Sequence, residues 1–170
     1  MKNQKGITLI ALVITIIVLL ILAGITIAML TGDNGLLTKS QTAVKDNAIG
    51  SVKDKLSLAQ QAGMSDYLQK YYSETDVTKK AENKLSVVGT VKTELDKVLG
   101  TATAGKYTVD GCEVLYTAPD LSGTTPVDGS LLITYDTRKC EGTIKATAGT
   151  ATSVGTYKIE WKAIENTSNS

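Results

Sequence analysis

The chain contains no histidine and no phenylalanine among its 170 residues. The absence of histidine removes the commonest general base and the commonest metal ligand. Aromatic residues are only 5%, as seven Tyr and one Trp. Net charge is +1, so the chain has no overall electrostatic footprint for nucleic acid. Two cysteines, Cys112 and Cys140, are present, with no C-x-x-C pair, which argues against a zinc or thioredoxin-like site. The acids are scattered, and the Ser and Thr residues have no paired base. The sequence therefore predicts no catalytic residue, no metal site and no cofactor.

One long apolar run is present instead. From Ile7 to Leu30 there are 24 residues without a charge, broken only by Thr8, Thr15, Gly24 and Thr26. About 20 apolar residues span a bilayer as a helix. A secretory h-region is shorter, about 7 to 15 residues, and ends at a small-residue cleavage site that is missing here. The run therefore reads as a transmembrane helix over 7–30. Lys2 and Lys5 precede it and place the N-terminus on the cytoplasmic side, so the chain after Leu30 faces outward.

The order of residues at its start is more specific. In "KGITLIA" a short basic leader ends in Gly6 and the apolar run begins at once, with Ile7, Thr8, Leu9, Ile10 and Ala11. This resembles the type IV pilins and pseudopilins. Their leader ends in glycine, followed by Phe-Thr-Leu-Ile-Glu and a long apolar helix. The resemblance extends from Lys5 to about Lys39, where "MLTGDNGLLTKSQ" is similar to pilins of Gram-positive bacteria. It implies a leader over 1–6, cleavage by a prepilin peptidase between Gly6 and Ile7, and methylation of the Ile7 amine. Thr8, Leu9, Ile10, Ala11 and Gly24 are then positions of the helix core through which copies assemble.

Two departures from the family pattern stand out, besides the missing late proline of its apolar helix. Ile7 replaces phenylalanine, one apolar residue for another. Ala11 replaces the glutamate that meets the amine of a neighbouring subunit. A bare ammonium among apolar helices is costly unless paired, so the Ile7 amine needs another solution.

"TGDNG", Thr31 to Gly35, reads as a hinge over 31–35. Gly and Asn accept left-handed backbone angles, and Asp or Asn caps a following helix. It lacks the alternating acids of a calcium loop. Residues 36–62 then read as an amphipathic helix, with Val44, Ala48, Val52, Leu56 and Ala59 as its apolar stripe and Gly63 as its stop. Ser65 is a candidate cap for a short helix through Tyr72. Further helical pieces are expected from Thr75 to Val88 and from Thr90 to Leu99, with Gly100 as a stop.

From Lys106 the pattern changes to strands. Asp110-Gly111 inside "KYTVDGCEVLYT" is a hairpin signal. "SLLITYDT" and "EGTIKATA" follow, joined near "RKC". "TYKIEWKAI" alternates, with Tyr157, Ile159, Trp161 and Ala163 on one face. The expected fold is α+β: a long N-terminal helix, half membrane-spanning and half amphipathic, packed on an antiparallel sheet over 106–163. The head domain spans 36–165 and the flexible tail 166–170.

Cys112 and Cys140 both fall at expected strand edges in a domain facing a thiol-poor exterior, where a bridge is favoured over two buried thiols. The resemblance supports such a bridge only in part, since the family's bridge usually encloses the last strand.

The function implied is a structural subunit of a type IV pilus-like filament, a homo-oligomer held by its N-terminal helix and fed from the bilayer through an assembly platform. The alternatives are a pseudopilin of a secretion or DNA-uptake machine, and a membrane-tethered binding module. The implied localisation is the cytoplasmic membrane, then the extracellular filament. DNA or surface ligands are not specified by the sequence.

Overall fold

The computed structural model describes residues 4–32, 34–82 and 86–167. They divide into two compact units, Met1–Val44 and Lys45–Ser170. The architecture is α+β, an apolar N-terminal helix region followed by an antiparallel sheet.

The first unit contains α1 (Gln4–Thr31) and the start of α2 (Leu36–Ser73). The two helices are separated at the position the glycines suggested. Gly35 donates its N–H to the Gly32 carbonyl at 2.6 Å, and the Thr38 hydroxyl donates to the same oxygen at 3.1 Å. A Cβ on Gly35 would lie 2.6 Å from the Leu30 carbonyl oxygen, so only glycine lets the chain turn this tightly. Asp33 lies outside the described residues.

In the second unit α2 continues without a break to Ser73. Gly63 does not stop it, and Ser65 does not start a new helix. Gly63 is instead a contact: a Cβ there would sit 2.6 Å from the Cα of Val91 on α4 (Ser86–Leu99). Two helix backbones approach closely at this point, which a side chain would prevent. The buried stripe of α2 is Ile49, Val52, Leu56, Ala59, Gly63 and Tyr67. Val44 is exposed, and Ala48 is only partly buried. Val52, Leu56 and Ala59 of the expected stripe are thus buried, but the face begins at Ile49 rather than at Val44 and Ala48 and continues to Gly63 and Tyr67.

Between α2 and α4 lies α3 (Val77–Glu82), capped by Asp76, whose Oδ1 accepts the Thr78 N–H at 2.8 Å. Helix α4 starts earlier than expected and buries Val87, Val91, Leu95 and Leu99. It ends as expected: Gly100 has φ +70° and returns its N–H to the Asp96 carbonyl.

The sheet is an antiparallel meander of β1 (Tyr107–Val109), β2 (Cys112–Thr117), β3 (Gly129–Tyr135), β4 (Arg138–Thr147) and β5 (Thr156–Trp161), in that order. A short β6 (Glu165–Asn166) pairs with β4 beyond the end of β5. The register moves by one residue between Gly142↔Trp161 and Lys139↔Glu165, so the edge carries a bulge before β6. Ala163 falls in this bulge and is exposed, not part of the buried face. Residues 166 and 167, expected in a flexible tail, are ordered: Asn166 pairs with Arg138, and Thr167 donates to the Thr137 carbonyl. Residues 168–170 lie outside the described residues.

Val114, Leu131, Ile133, Ile144, Tyr157 and Ile159 of the sheet share one buried cluster with the stripes of α2 and α4. The hairpin turns are pinned to α2 by charge. Asp110 and Asp136, each with positive φ, pair with Lys55 and Lys45 at 2.5 Å. Arg138 grips Asp46 with two nitrogens, at 2.6 and 3.0 Å. Trp161 donates its indole N–H to Ser57, and Gln60 donates to the Tyr157 carbonyl.

The expected bridge between Cys112 and Cys140 is not formed, and both thiols are free and buried. The strand that joins "SLLITYDT" to the next turns at Asp136-Thr137, before "RKC", so Cys140 lies inside β4. Its partner across β3 is Ile133, and Ile133 pairs in turn with Val114, two residues past Cys112. With β3 between them and a two-residue offset along the strand, the cysteines are about 11 to 12 Å apart. That exceeds the roughly 7 Å limit for bridging. Burial pushes both thiols up, which keeps them protonated and unreactive.

Two predictions follow from this packing. Gly63→Ala destabilises the fold by about 1 to 3 kcal/mol, because the methyl meets the α4 backbone. Gly50→Ala, where a Cβ meets nothing within 4 Å, stabilises it by about 0.5 to 1 kcal/mol through helix propensity. Denaturant midpoints of the two variants check this, and the opposite order contradicts the contact.

The second prediction concerns acid. Lys45 holds the Asp136 carboxyl below the usual range; Lys162 does the same for Glu141, and Lys145 with Lys158 for Glu160. The folded chain then binds fewer protons than the unfolded chain near the ordinary carboxylate pKa values of about 4. This stabilisation is complete above those values and fades as pH falls through the lowered folded ones. Denaturant midpoints are expected to stay level from about pH 7 to 5 and to drop below about pH 4. High salt flattens the drop, since these pairs are solvent-exposed.

Candidate assembly helix and processing site

Gly6, Ile7 and Thr8 lie in the first turns of α1, which is helical from Gln4. Their side-chain surroundings lie outside the described residues. The cleavage, methylation and assembly roles expected of these residues therefore remain what the resemblance implies.

From Leu9 onward the geometry is informative. The large apolar side chains of α1 from Leu9 to Leu30 are exposed by 46 to 74%, on every side of the helix. None of the most apolar 18-residue window is buried inside the chain. Ile7 to Leu30 is about 36 Å long as a helix, enough to cross a hydrocarbon layer of about 30 Å.

Polar groups in this stretch are already satisfied. The Thr15 hydroxyl donates to the Leu12 carbonyl at 2.8 Å, Thr26 to Leu22 at 2.7 Å, and Thr31 to Ile27 at 2.8 Å. Such back-bonding turns these three hydroxyls away from the apolar surface. Backbone groups are paired within the helix. This matters because an unsatisfied polar group costs several kcal/mol in lipid or in a packed helix core.

Leu9, Ile10 and Ala11 are all exposed. No Asp or Glu occurs between Met1 and Gly32. The helix thus offers no carboxylate to a neighbour's amine at Ala11 or at any other position of the run. Helix α1 passes unbroken through Gly24, where a Cβ would meet nothing within 4 Å. Gly24 is an open notch in the surface, and the break falls later, at Gly32 to Gly35.

In the second unit no group of three or more His, Cys, Asp or Glu side chains that could hold a metal is found among the described residues. The sequence did not disclose a cavity of about 290 Å³ where α2, α3 and α4 meet, lined in part by Tyr67, Tyr71 and Lys80. Three separate helices build it, so no linear pattern marked it. The turn aspartates Asp110 and Asp136 were also missed as anchors of α2.

No curated protein and no solved structure matches the chain. One family model does match, the prokaryotic N-terminal methylation motif, over residues 1–27. That interval contains Gly6, Ile7, the Thr-Leu-Ile segment and most of the exposed apolar helix. The N-terminal signal of this chain is therefore of the type IV pilin and pseudopilin kind.

Proposed function

We propose that the chain is a structural subunit of a type IV pilus-like filament, cut between Gly6 and Ile7 and assembled through α1. The observation that supports this most is the helix itself: apolar on all sides, free of charge from Ile7 onward, and unburied among the described residues. Such a surface is stable only among other apolar groups, at roughly 25 cal/mol per Å² removed from water. Lipid supplies them first, while the subunit waits in the membrane with its second unit outside. Copies of the same helix supply them in the filament, so the transfer from lipid to filament needs no net loss of burial.

A prepilin peptidase removes residues 1–6, and methylation of the Ile7 amine follows. An assembly platform then draws subunits from the bilayer. The second reading is a pseudopilin of a secretion or DNA-uptake machine. Ala11 favours it somewhat, since a core without the paired carboxylate departs from the usual pilin pattern.

Processing gives the first test. Gly6→Val closes the peptidase's access to the backbone, so the variant stays full-length, membrane-bound and absent from sheared surface material. Immunoblots of membrane and sheared fractions check it. Normal release of the variant contradicts the cleavage site. The second test is Ala11→Glu. A new carboxylate in a core adapted to its absence costs several kcal/mol when ionised and unpaired. Filament yield falls. A higher yield shows that the site pairs a carboxylate with an amine after all.

A further inference from the structure

The cavity in the second unit is about 290 Å³, at the low end of small-molecule sites. It lies at the C-terminal end of α2, about 39 Å along the helix from Lys45. Its lining mixes an aromatic wall with polar groups. Tyr67 and Tyr71 have ring centroids 6.0 Å apart. Both rings are fixed by their hydroxyls: Tyr67 accepts the Gly155 N–H at 2.9 Å, and Tyr71 donates to the Thr150 carbonyl at 2.9 Å. The wall is thus preorganised by the loop between β4 and β5.

Lys80 sits at the edge with its ammonium 5.0 Å from the Tyr71 ring centroid. Among the described residues no carboxylate is in ion-pair contact with it. Glu74 also lines the cavity and uses one oxygen to accept the Asp76 N–H. The Ser86 and Thr90 hydroxyls of α4 also line the cavity, and among the described residues neither side chain has a hydrogen-bond partner. Among the described residues the site therefore offers the Tyr71 ring, Lys80 without an ion-pair partner, Lys70 paired with Asp66 at 2.6 Å, one further Glu74 oxygen and the Ser86 and Thr90 hydroxyls.

We propose that this cavity binds an anionic saccharide unit, a sugar ring bearing a carboxylate. The ring's C–H face lies against Tyr71, since Tyr67 is buried in the core, and its hydroxyls meet Ser86, Thr90 and Glu74. Lys80 leaves the Tyr71 ring to receive the carboxylate. A purely apolar ligand would leave the hydroxyls and the ammonium unpaired in the bound state, which is costly. A neutral sugar would leave only Lys80 unanswered, so charge is the discriminating feature. This proposal does not depend on filament assembly.

The test titrates full-length protein in detergent micelles with glucuronate, with glucose and acetate as comparison probes, followed by NMR of the tyrosine rings. Glucuronate is expected to saturate with a Kd on the order of 1 mM and to shift the Tyr71 ring resonances. Glucose binds about tenfold more weakly, because it forgoes the charged hydrogen bond. Acetate produces no ring shifts. Lys80→Gln brings glucuronate down to the level of glucose, and Thr90→Val weakens both sugars. Both variants keep the wild-type melting temperature, since neither side chain is part of the core. Absence of saturable glucuronate binding, equal affinity for glucose, or binding unchanged by Lys80→Gln overturns the proposal.

Discussion

A helix that is apolar on every side cannot remain in water, and among the described residues its most apolar window is unburied. Everything else about α1 is consistent with that constraint. Its three described threonines turn their hydroxyls back onto their own helix. It contains no acid, and the cations of the N-terminal stretch all precede Gly6. An ordinary surface helix keeps one polar face and buries the other. This one has no polar face, so its stability comes from its surroundings, first lipid and, in the proposed function, other copies of itself. The glycines Gly32 and Gly35 end it without a proline, so the chain changes from apolar to amphipathic within a few residues.

The second unit solves a different problem. Helix α2 has to lie on a sheet while also touching α4, and a side chain at position 63 would separate α2 from α4. Charge then sets the remaining geometry. Lysines of α2 reach the aspartates at the two hairpin turns, and Arg138 reaches back to Asp46. Exposed pairs of this kind add little stability each. Their contribution is orientation, since they attach both turns along one helix. No disulfide reinforces the sheet, and two buried thiols serve as ordinary apolar residues.

Features written in a few adjacent residues were legible in the sequence. Asp110-Gly111 specified its turn because both residues accept positive φ. Gly100 marked the end of α4 by the same chemistry. The N-terminal methylation motif was legible because it is linear: glycine, Thr-Leu-Ile and an uncharged run in register. Features that depend on a distant partner were not. Gly63 resembled a helix stop because its contact, Val91, lies 28 positions away. The Asp136-Thr137 turn lacks glycine, so the strand boundary was misplaced and Cys140 was put at an edge. Strand β6 has two residues, too few for any periodicity. The cavity by Tyr71 draws on three helices and has no sequence signature.

The central claim is that α1 is the cohesive element of a surface filament built from cleaved subunits. Intact-mass analysis of filaments sheared from cells, with electron microscopy of the same material, addresses it most directly. The account predicts thin filaments whose subunit begins at Ile7 with one added methyl group and retains the whole apolar helix. Filaments whose subunit still carries Met1, or whose subunit lacks residues 7–30, would contradict it.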